Sequence, residues 1–308
     1  MRYKLLWAAL GLLVFAAACA PTPSVTPPTS SLRVVAVESF LADIAQNVAG
    51  KRVRVETLLA LGSDPHTFEP TPQDVKKIAD SAVLIVNGAG LEEFLAKLLR
   101  NAGSHATIIE ASHGLTSRAL KFGEPRDANN SIDPHFWLDP TRAVKYVENI
   151  RDGLTQADPE GAATYQANAS AYISKLRALD EKIQQIVSAL PPEKRKLVTD
   201  HDTLGYYADR YGFEIVGMLT PSFSAADATS ARQTAALIDQ IRATQVKAIF
   251  LEQGANPKLA EQIARDTGVK LVTGLYTHSL SDAQGPAPTY LQMLEYDTRL
   301  IVQALHDA

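Results

Sequence analysis

Cysteine is almost missing from these 308 residues: there is one, Cys19, so no disulfide can form within the chain. Long apolar runs are scarce too. The stretch Leu5–Ala18 is too short for a comfortable membrane-spanning helix. A positive excess is absent, with 30 Lys and Arg against 34 Asp and Glu and a formal net charge of −4. That balance gives no electrostatic case for binding nucleic acid. Neither an HExxH helix motif nor a nucleophile elbow occurs, which leaves hydrolytic chemistry without its usual sequence support. No residue-level internal repeat is evident.

What is present begins with the N-terminus. Arg2 and Lys4 precede the apolar run, and the small residues Ala16, Ala17 and Ala18 precede Cys19. This is the three-part plan of a secretory signal. The segment resembles a bacterial lipoprotein signal, with residues 1–18 removed and Cys19 lipidated as the mature N-terminus. Ala16 stands where leucine is more usual. Loss of Arg2 and Lys4 takes the formal charge to −6. Residues 19–31 are rich in Pro, Ser and Thr without an apolar period, which predicts a flexible tether.

Beyond the tether, short apolar runs alternate with amphipathic segments. Strands are expected at Leu32–Val37, Val53–Leu59, Ala82–Val86 and Thr107–Glu110, with helices at Phe40–Val48, Gln73–Asp80 and Leu91–Asn101. A second series places strands at Lys196–Thr199, Glu214–Met218, Ala248–Leu251 and Lys270–Val272. Its helices are expected at Thr203–Tyr211, Ala231–Ala243, Pro257–Asp266 and Tyr290–His306. Continuously apolar strands separated by helices predict mainly parallel sheets covered on both faces, an α/β fold. Between the halves, Tyr165, Ala169, Tyr172, Leu176, Leu179, Ile183, Ile186 and Leu190 recur at steps of three and four. Pro159 suits the start of that helix and Pro191–Pro192 its end. The expected organisation is an N-terminal lobe over 32–158, one long rigid helix over 159–192 and a C-terminal lobe over 193–308. A coiled-coil dimer helix is the alternative reading of the apolar stripe.

Four of the seven histidines fall at strand exits or in proline-braced loops. They are His66 in G-S-D-P-H-T-F-E-P, His135 in D-P-H-F-W-L-D-P, His201 after K-L-V-T-D, and His278 after K-L-V-T-G-L-Y-T. Any one alone would read as a polar loop residue. Two in each half, at the edge where open α/β sheets gather ligands, point to a divalent transition metal held between lobes. His105 and His113 flank a short strand, and His306 ends the last helix, where a positive charge suits the helix dipole. Those three read as structural or surface residues.

The chain resembles the cluster A-I metal-binding lipoproteins, the solute receptors of bacterial zinc and manganese ABC importers. The matching stretches are G-S-D-P-H-T-F-E-P-T-P-Q-D at 62–74, D-P-H-F-W-L-D-P at 133–140, V-T-D-H-D-T-L-G-Y-Y-A-D-R-Y-G at 198–212 and G-P-A-P-T-Y-L-Q-M-L at 285–294. The resemblance implies two α/β lobes on a rigid helix with one metal between them. It also implies that His66 and His135 are ligands from the first lobe. His201 matches a third position that is typically His in zinc receptors and Glu in manganese receptors. His278 stands where the family usually has Asp. It would replace that carboxylate as ligand, swing out to leave a three-residue site, or yield to Asp282. Glu252 is a further substitute or supporting carboxylate, although a polar residue closing a strand is its plainer reading.

Imidazole suits zinc, while manganese favours oxygen, so the donor set points to Zn2+ with Mn2+ as the alternative. The loop 115–131 lacks the His-rich insertion of some zinc receptors. The implied protein is exported, monomeric, lipid-anchored to the outer face of the bacterial cytoplasmic membrane, and delivers metal to an ABC permease. It is not an enzyme. A zinc hydrolase using three histidines with Glu252, or a surface adhesin, are the competing classes. An adhesin role alone leaves the four histidines without a purpose.

Overall fold

Alternation along the strands decides which residues of each sheet meet which layer of helices. In the computed structural model, residues 30–118, 132–222 and 228–307 are described. The signal segment, Cys19 and nearly all of the tether lie outside the described residues, as does most of the 115–131 loop. The first half runs β1 (Val34–Ala36), α1 (Ser39–Ala49), β2 (Val55–Thr57), α2 (Pro72–Ala79), β3 (Val83–Val86), α3 (Leu95–Ala102) and β4 (Thr107–Glu110). Two further helices follow, α4 (Pro140–Ala157) and α5 (Ala162–Ser188). The second half is β5 (Lys196–Thr199), α6 (Gly205–Tyr211), β6 (Glu214–Met218), α7 (Ala231–Thr244), β7 (Ala248–Glu252), α8 (Lys258–Thr267), β8 (Lys270–Leu275) and α9 (Tyr290–His306).

Each half builds a four-stranded parallel sheet, ordered β2-β1-β3-β4 and β6-β5-β7-β8. The chain order reverses beside β1 and beside β5, which opens a crevice at the carboxyl ends of both sheets. Val34, Ala36, Val83 and Ile85 face one apolar core, while Val35, Val37, Leu84 and Val86 face another. Leu197, Ala248 and Phe250 join the first core, and Val198, Ile249 and Leu251 form a third beneath α7 and α8. Burial on both faces therefore explains why the inner strands β1, β3, β5 and β7 read as mainly apolar runs, while the edge strands are partly exposed.

The shared core is continuous through both halves and includes Tyr165, Ala169, Tyr172, Leu176 and Ile183 of α5. The apolar stripe of α5 is thus spent inside this chain, packed against α1, α4, α6 and α9. Its 27 residues span about 40 Å, a little less than expected, because Pro159–Gly161 form a separate 3-10 turn and the helix ends before Ala189. The helix α4 was not expected. It occupies 18 residues where the sequence suggested only a proline-braced loop. Asp139 caps it by accepting from Thr141 N at 2.8 Å, Pro140 fits its first turn, and Ala143, Tyr146, Val147, Ile150 and Leu154 are buried on one side.

Two local irregularities tune the crevice. In the β7–β8 ladder, Leu251 pairs with Thr273 and Glu252 with Leu275, so Gly274 is the extra residue of a bulge. Its φ of +94° is a conformation that side chains resist, and the bulge redirects the end of β7 that carries Glu252. Helix α3 starts at Leu95 rather than Leu91 because Glu92 turns back, its carboxylate accepting from Asn87 N and, at 3.1 Å, Gly88 N. Among the described residues, no helix is long and apolar enough to cross a membrane.

Candidate metal centre

The four histidines arrive from four different segments. His66 sits in the loop after β2, where its backbone N–H donates to Asp64 Oδ1 at 2.8 Å. His135 immediately precedes a 3-10 turn, Phe136–Leu138, that leads into α4. His201 lies two residues beyond β5, and His278 three residues beyond β8. One ring nitrogen from each lies within 4.8 Å of the others. Nε2 of His66 and Nε2 of His135 are 3.3 Å apart, a separation suited to two donors facing a common point. His135, His201 and His278 are buried, and His66 is partly so.

The polar atoms around the rings give each a direction. Asp133 Oδ1 lies 2.9 Å from His135 Nδ1 and also accepts from the His135 backbone N–H at 3.0 Å. Glu252 Oε2 lies 2.8 Å from His278 Nδ1. With Nδ1–H donating in both cases, the Nε2 lone pairs are left facing the cluster, the arrangement that carboxylate–histidine pairs impose on metal sites. Nε2 of His278 and Nδ1 of His201 are buried and make no hydrogen bond of good geometry, although Asp200 Oδ1 and Glu252 Oε1 lie 3.3 and 3.6 Å from the His201 nitrogen. Two such nitrogens are costly unless something else, such as a cation, engages them. Thr203 Oγ1 bridges the pair from behind, 2.8 Å from His201 Nε2 and donating to Glu252 Oε1 at 2.8 Å.

Charge is distributed unevenly. Burial pushes His66 down to about 2, helped by His278 and His201, and burial likewise holds His135 well below the usual range. For His201 burial is again the largest influence and acts downward. Glu252 and Asp200 together outweigh it and lift the group to about 9. Burial would raise Glu252, but His278 and His201 hold it well below the ordinary carboxylate range. Asp133 is pushed up to about 7 by burial, against the opposing pull of Arg118.

Glu252, expected either as a strand-closing residue or as a substitute or supporting carboxylate, closes β7, and its carboxylate also meets His278 and Thr203. A second set of converging ligand atoms comprises Asp200, His201 and Glu252. Asp282 belongs to neither set. It is exposed and accepts from Gln284 N at 2.9 Å. His105, His113 and His306 are exposed. The sequence reading missed Asp133 and Asp200 as partners of the histidines, and Arg118 as the partner of Asp133. The adjacency of Asp133 and Asp200 to their histidines was the available signal.

The halves are tied together around the rings. Trp137 Nε1 donates to Thr277 O at 2.7 Å, next to His278, and the indole stacks on Phe40 with centroids 4.5 Å apart. Leu280 N donates to Ser39 Oγ at 2.8 Å and Gly62 N to Ser279 Oγ at 2.7 Å. A cleft of about 540 Å³ opens beside the cluster, lined by Asp64, Glu69, Asp200 and Glu252 among others, but by none of the four imidazoles.

Two parallel-sheet lobes on a linking helix, with ligand atoms gathered where they meet, define a solute-binding protein of the metal-importing ABC type rather than an enzyme. Residues 34–304 match the family model described as zinc-uptake complex component A, periplasmic, and the chain belongs to that family. It is 34% identical to the manganese-binding lipoprotein MntA of Halalkalibacterium halodurans, covering 89% of this chain and 88% of the relative. It is also 34% identical to the iron-binding protein YfeA of Yersinia pestis, over 92% of this chain and 88% of that one. Among solved structures, the Mn-bound periplasmic metal-binding protein of Candidatus Liberibacter asiaticus superposes with a TM-score of 0.77 at 32% identity, covering 88% of this chain and 98% of the other. The periplasmic zinc-binding protein TroA of Treponema pallidum gives a TM-score of 0.79 at 25% identity, over 89% and 99%. The family resemblance and the two-lobed fold expected from the sequence hold. Such proteins work outside the cytoplasm with a membrane permease.

Proposed function

We propose that the protein captures one Zn2+ through His66, His135, His201 and His278 and hands it to its ABC permease. The observation that carries this reading is the convergence of four imidazole nitrogens within 4.8 Å. Nitrogen donors in that number suit zinc and disfavour manganese, which prefers oxygen. Asp133 and Glu252 supply orientation, and Glu252 also supplies negative charge close to a cation that four neutral rings would leave unbalanced. The lipid anchor belongs to the same reading: Cys19 would hold the receptor at the membrane, and two or more acyl chains would make that attachment stable. The protein is proposed to act as a monomer, since the stripe of α5 is consumed within the chain.

Manganese or iron is the second reading, favoured by the Asp200–His201–Glu252 set, which offers two carboxylates beside one imidazole. Relatives named for manganese and for iron keep it in view. Elemental analysis of protein purified without added metal, followed by Zn2+ against Mn2+ competition, separates the two. Zinc at one equivalent, displaced by manganese only in large excess, is the expected result. Comparable affinity for both metals would replace the imidazole set by the oxygen-containing one.

A further inference from the structure

Arg118 has no part in the sequence motifs, yet its side chain is only 3% exposed and lies between the two halves of the centre. Its Nε donates to Asp133 Oδ2 at 2.6 Å. Its Nη2 donates to both oxygens of Asp202, at 3.0 and 2.9 Å. Asp133 is the residue whose other oxygen faces His135 Nδ1, and Asp202 directly follows His201. One planar guanidinium thus joins an acid that orients a ring from the first half to the neighbour of a ring from the second. The fork geometry makes arginine suited to this and lysine much less so.

The surroundings are shaped for that fork. A Cβ on Gly205, the first residue of α6, would lie 2.2 Å from Arg118 Nε, so any other residue there would displace the guanidinium. Tyr206 OH accepts from the Arg118 backbone N–H at 3.3 Å and donates to Asp133 O at 2.8 Å, closing a second path between the same groups. The Tyr206 ring lies 4.8 Å from Phe136 and beneath the Arg142 guanidinium at 4.6 Å, which covers this interface.

We propose that Arg118 is a positioning residue that registers the two half-sites against each other: it aims Asp133 at His135 Nδ1 and holds the Asp202 segment that presents His201. This rests on the four imidazoles being the metal ligands. Loss of a group that orients a ligating histidine typically costs about 10–100-fold in metal affinity. Arg118→Met should weaken Zn2+ binding by that factor, measured by competition with a chromophoric chelator, and Arg118→Lys should recover only part of it. Gly205→Ala keeps every charged group and should give the same loss, which covers the case in which Arg118→Met does not fold. Long-range ¹H–¹⁵N spectra of the metal-free protein add a readout that general destabilisation would not move. In the wild type, His135 should be the Nδ1–H tautomer, and in both variants that preference should fade. Unchanged affinity and an unchanged His135 tautomer in the folded variants would overturn the proposal. A wild type that takes up no zinc or other divalent metal would instead sink the metal reading beneath it, and the tautomer spectra would still judge Arg118.

Discussion

His201 lies between Asp200 and Glu252, and that placement sets how protons compete with metal. Four ordinary histidines would lose metal steeply, with several protons, below about pH 6. Burial changes this. His66 and His135 are pushed so low that neither binds a proton near neutrality, whereas His201 is lifted to about 9. A histidine with a raised value holds its proton below that pH, so a metal arriving at pH 7.5 must expel it. The expected result is about one proton released per metal, and affinity that rises roughly tenfold per pH unit between pH 7 and 8.5. Calorimetry in buffers of different ionisation enthalpy checks it, and no proton released would refute it. Glu252→Gln should reduce the release, since the charge of Glu252 is the largest single influence that raises His201. A second prediction concerns selectivity. His278→Asp replaces a nitrogen donor by oxygen and should move the ratio of Mn2+ to Zn2+ affinity toward manganese while zinc still binds. An unchanged ratio in competition titrations would mean that His278 is not in the coordination sphere.

At the level of elements, the strands and the long helix were largely legible, and the reasons are particular. Thr107–Glu110, Lys196–Thr199 and Glu214–Met218 appear at their expected bounds because each is a short run centred on β-branched or aliphatic residues, even though β4 and β6 are edge strands with exposed ends. Helix α4 was hidden by the prolines of D-P-H-F-W-L-D-P, although Ala143, Tyr146, Val147, Ile150 and Leu154 already carried a helical spacing. The four histidines could be picked out because each falls at a strand exit or beside proline. Arg118 could not, since its partners Asp133 and Asp202 are distant in sequence or meaningful only once the halves meet. The turn after β3 was equally hidden, and it carries a prediction. Glu92 is buried beneath it and raised to about 7, chiefly by burial, and Glu38 beside it is raised well above the ordinary range for the same reason. A carboxyl whose folded value exceeds its unfolded one near ~4.3 contributes stability below that value and loses it as pH rises through about 7. Glu92→Gln cannot ionise. Its melting temperature relative to the wild type should therefore improve by a few degrees between pH 5 and pH 8 in metal-free protein. A difference that stays constant across that range would show that Glu92 does not titrate there.

For the whole molecule, the continuity of the main core restricts how metal can leave. Residues of both sheets and of α1, α4, α5, α6 and α9 share one apolar cluster, so swinging the lobes wide apart would expose it to water. Release is more economical through the loops that carry the rings. The His278 loop is the natural one to move, because it is held from the opposite side by few bonds. Of these, Trp137 Nε1 to Thr277 O is fully buried, and Leu280 N to Ser39 Oγ lies just beyond. Trp137→Phe keeps an aromatic ring against Phe40 but removes the donor, leaving the Thr277 carbonyl buried and unpaired. An unmet buried group costs about 1–3 kcal/mol, which corresponds to roughly a 5- to 150-fold change in an equilibrium constant. That cost falls on the closed loop, so the open state gains population and metal should dissociate faster by a factor in this range. The association rate should change much less, since the variant leaves the cleft-lining carboxylates Asp64, Glu69, Asp200 and Glu252 untouched. Stopped-flow transfer of zinc to an excess of chelator measures the rate, and small-angle scattering follows the overall dimensions. The expected pair of results is faster release with a radius of gyration like that of the wild type. Faster release accompanied by a clearly larger radius would mean that the lobes do separate as bodies. An unchanged rate would place the control of release in the Ser39 and Gly62 contacts rather than in Trp137.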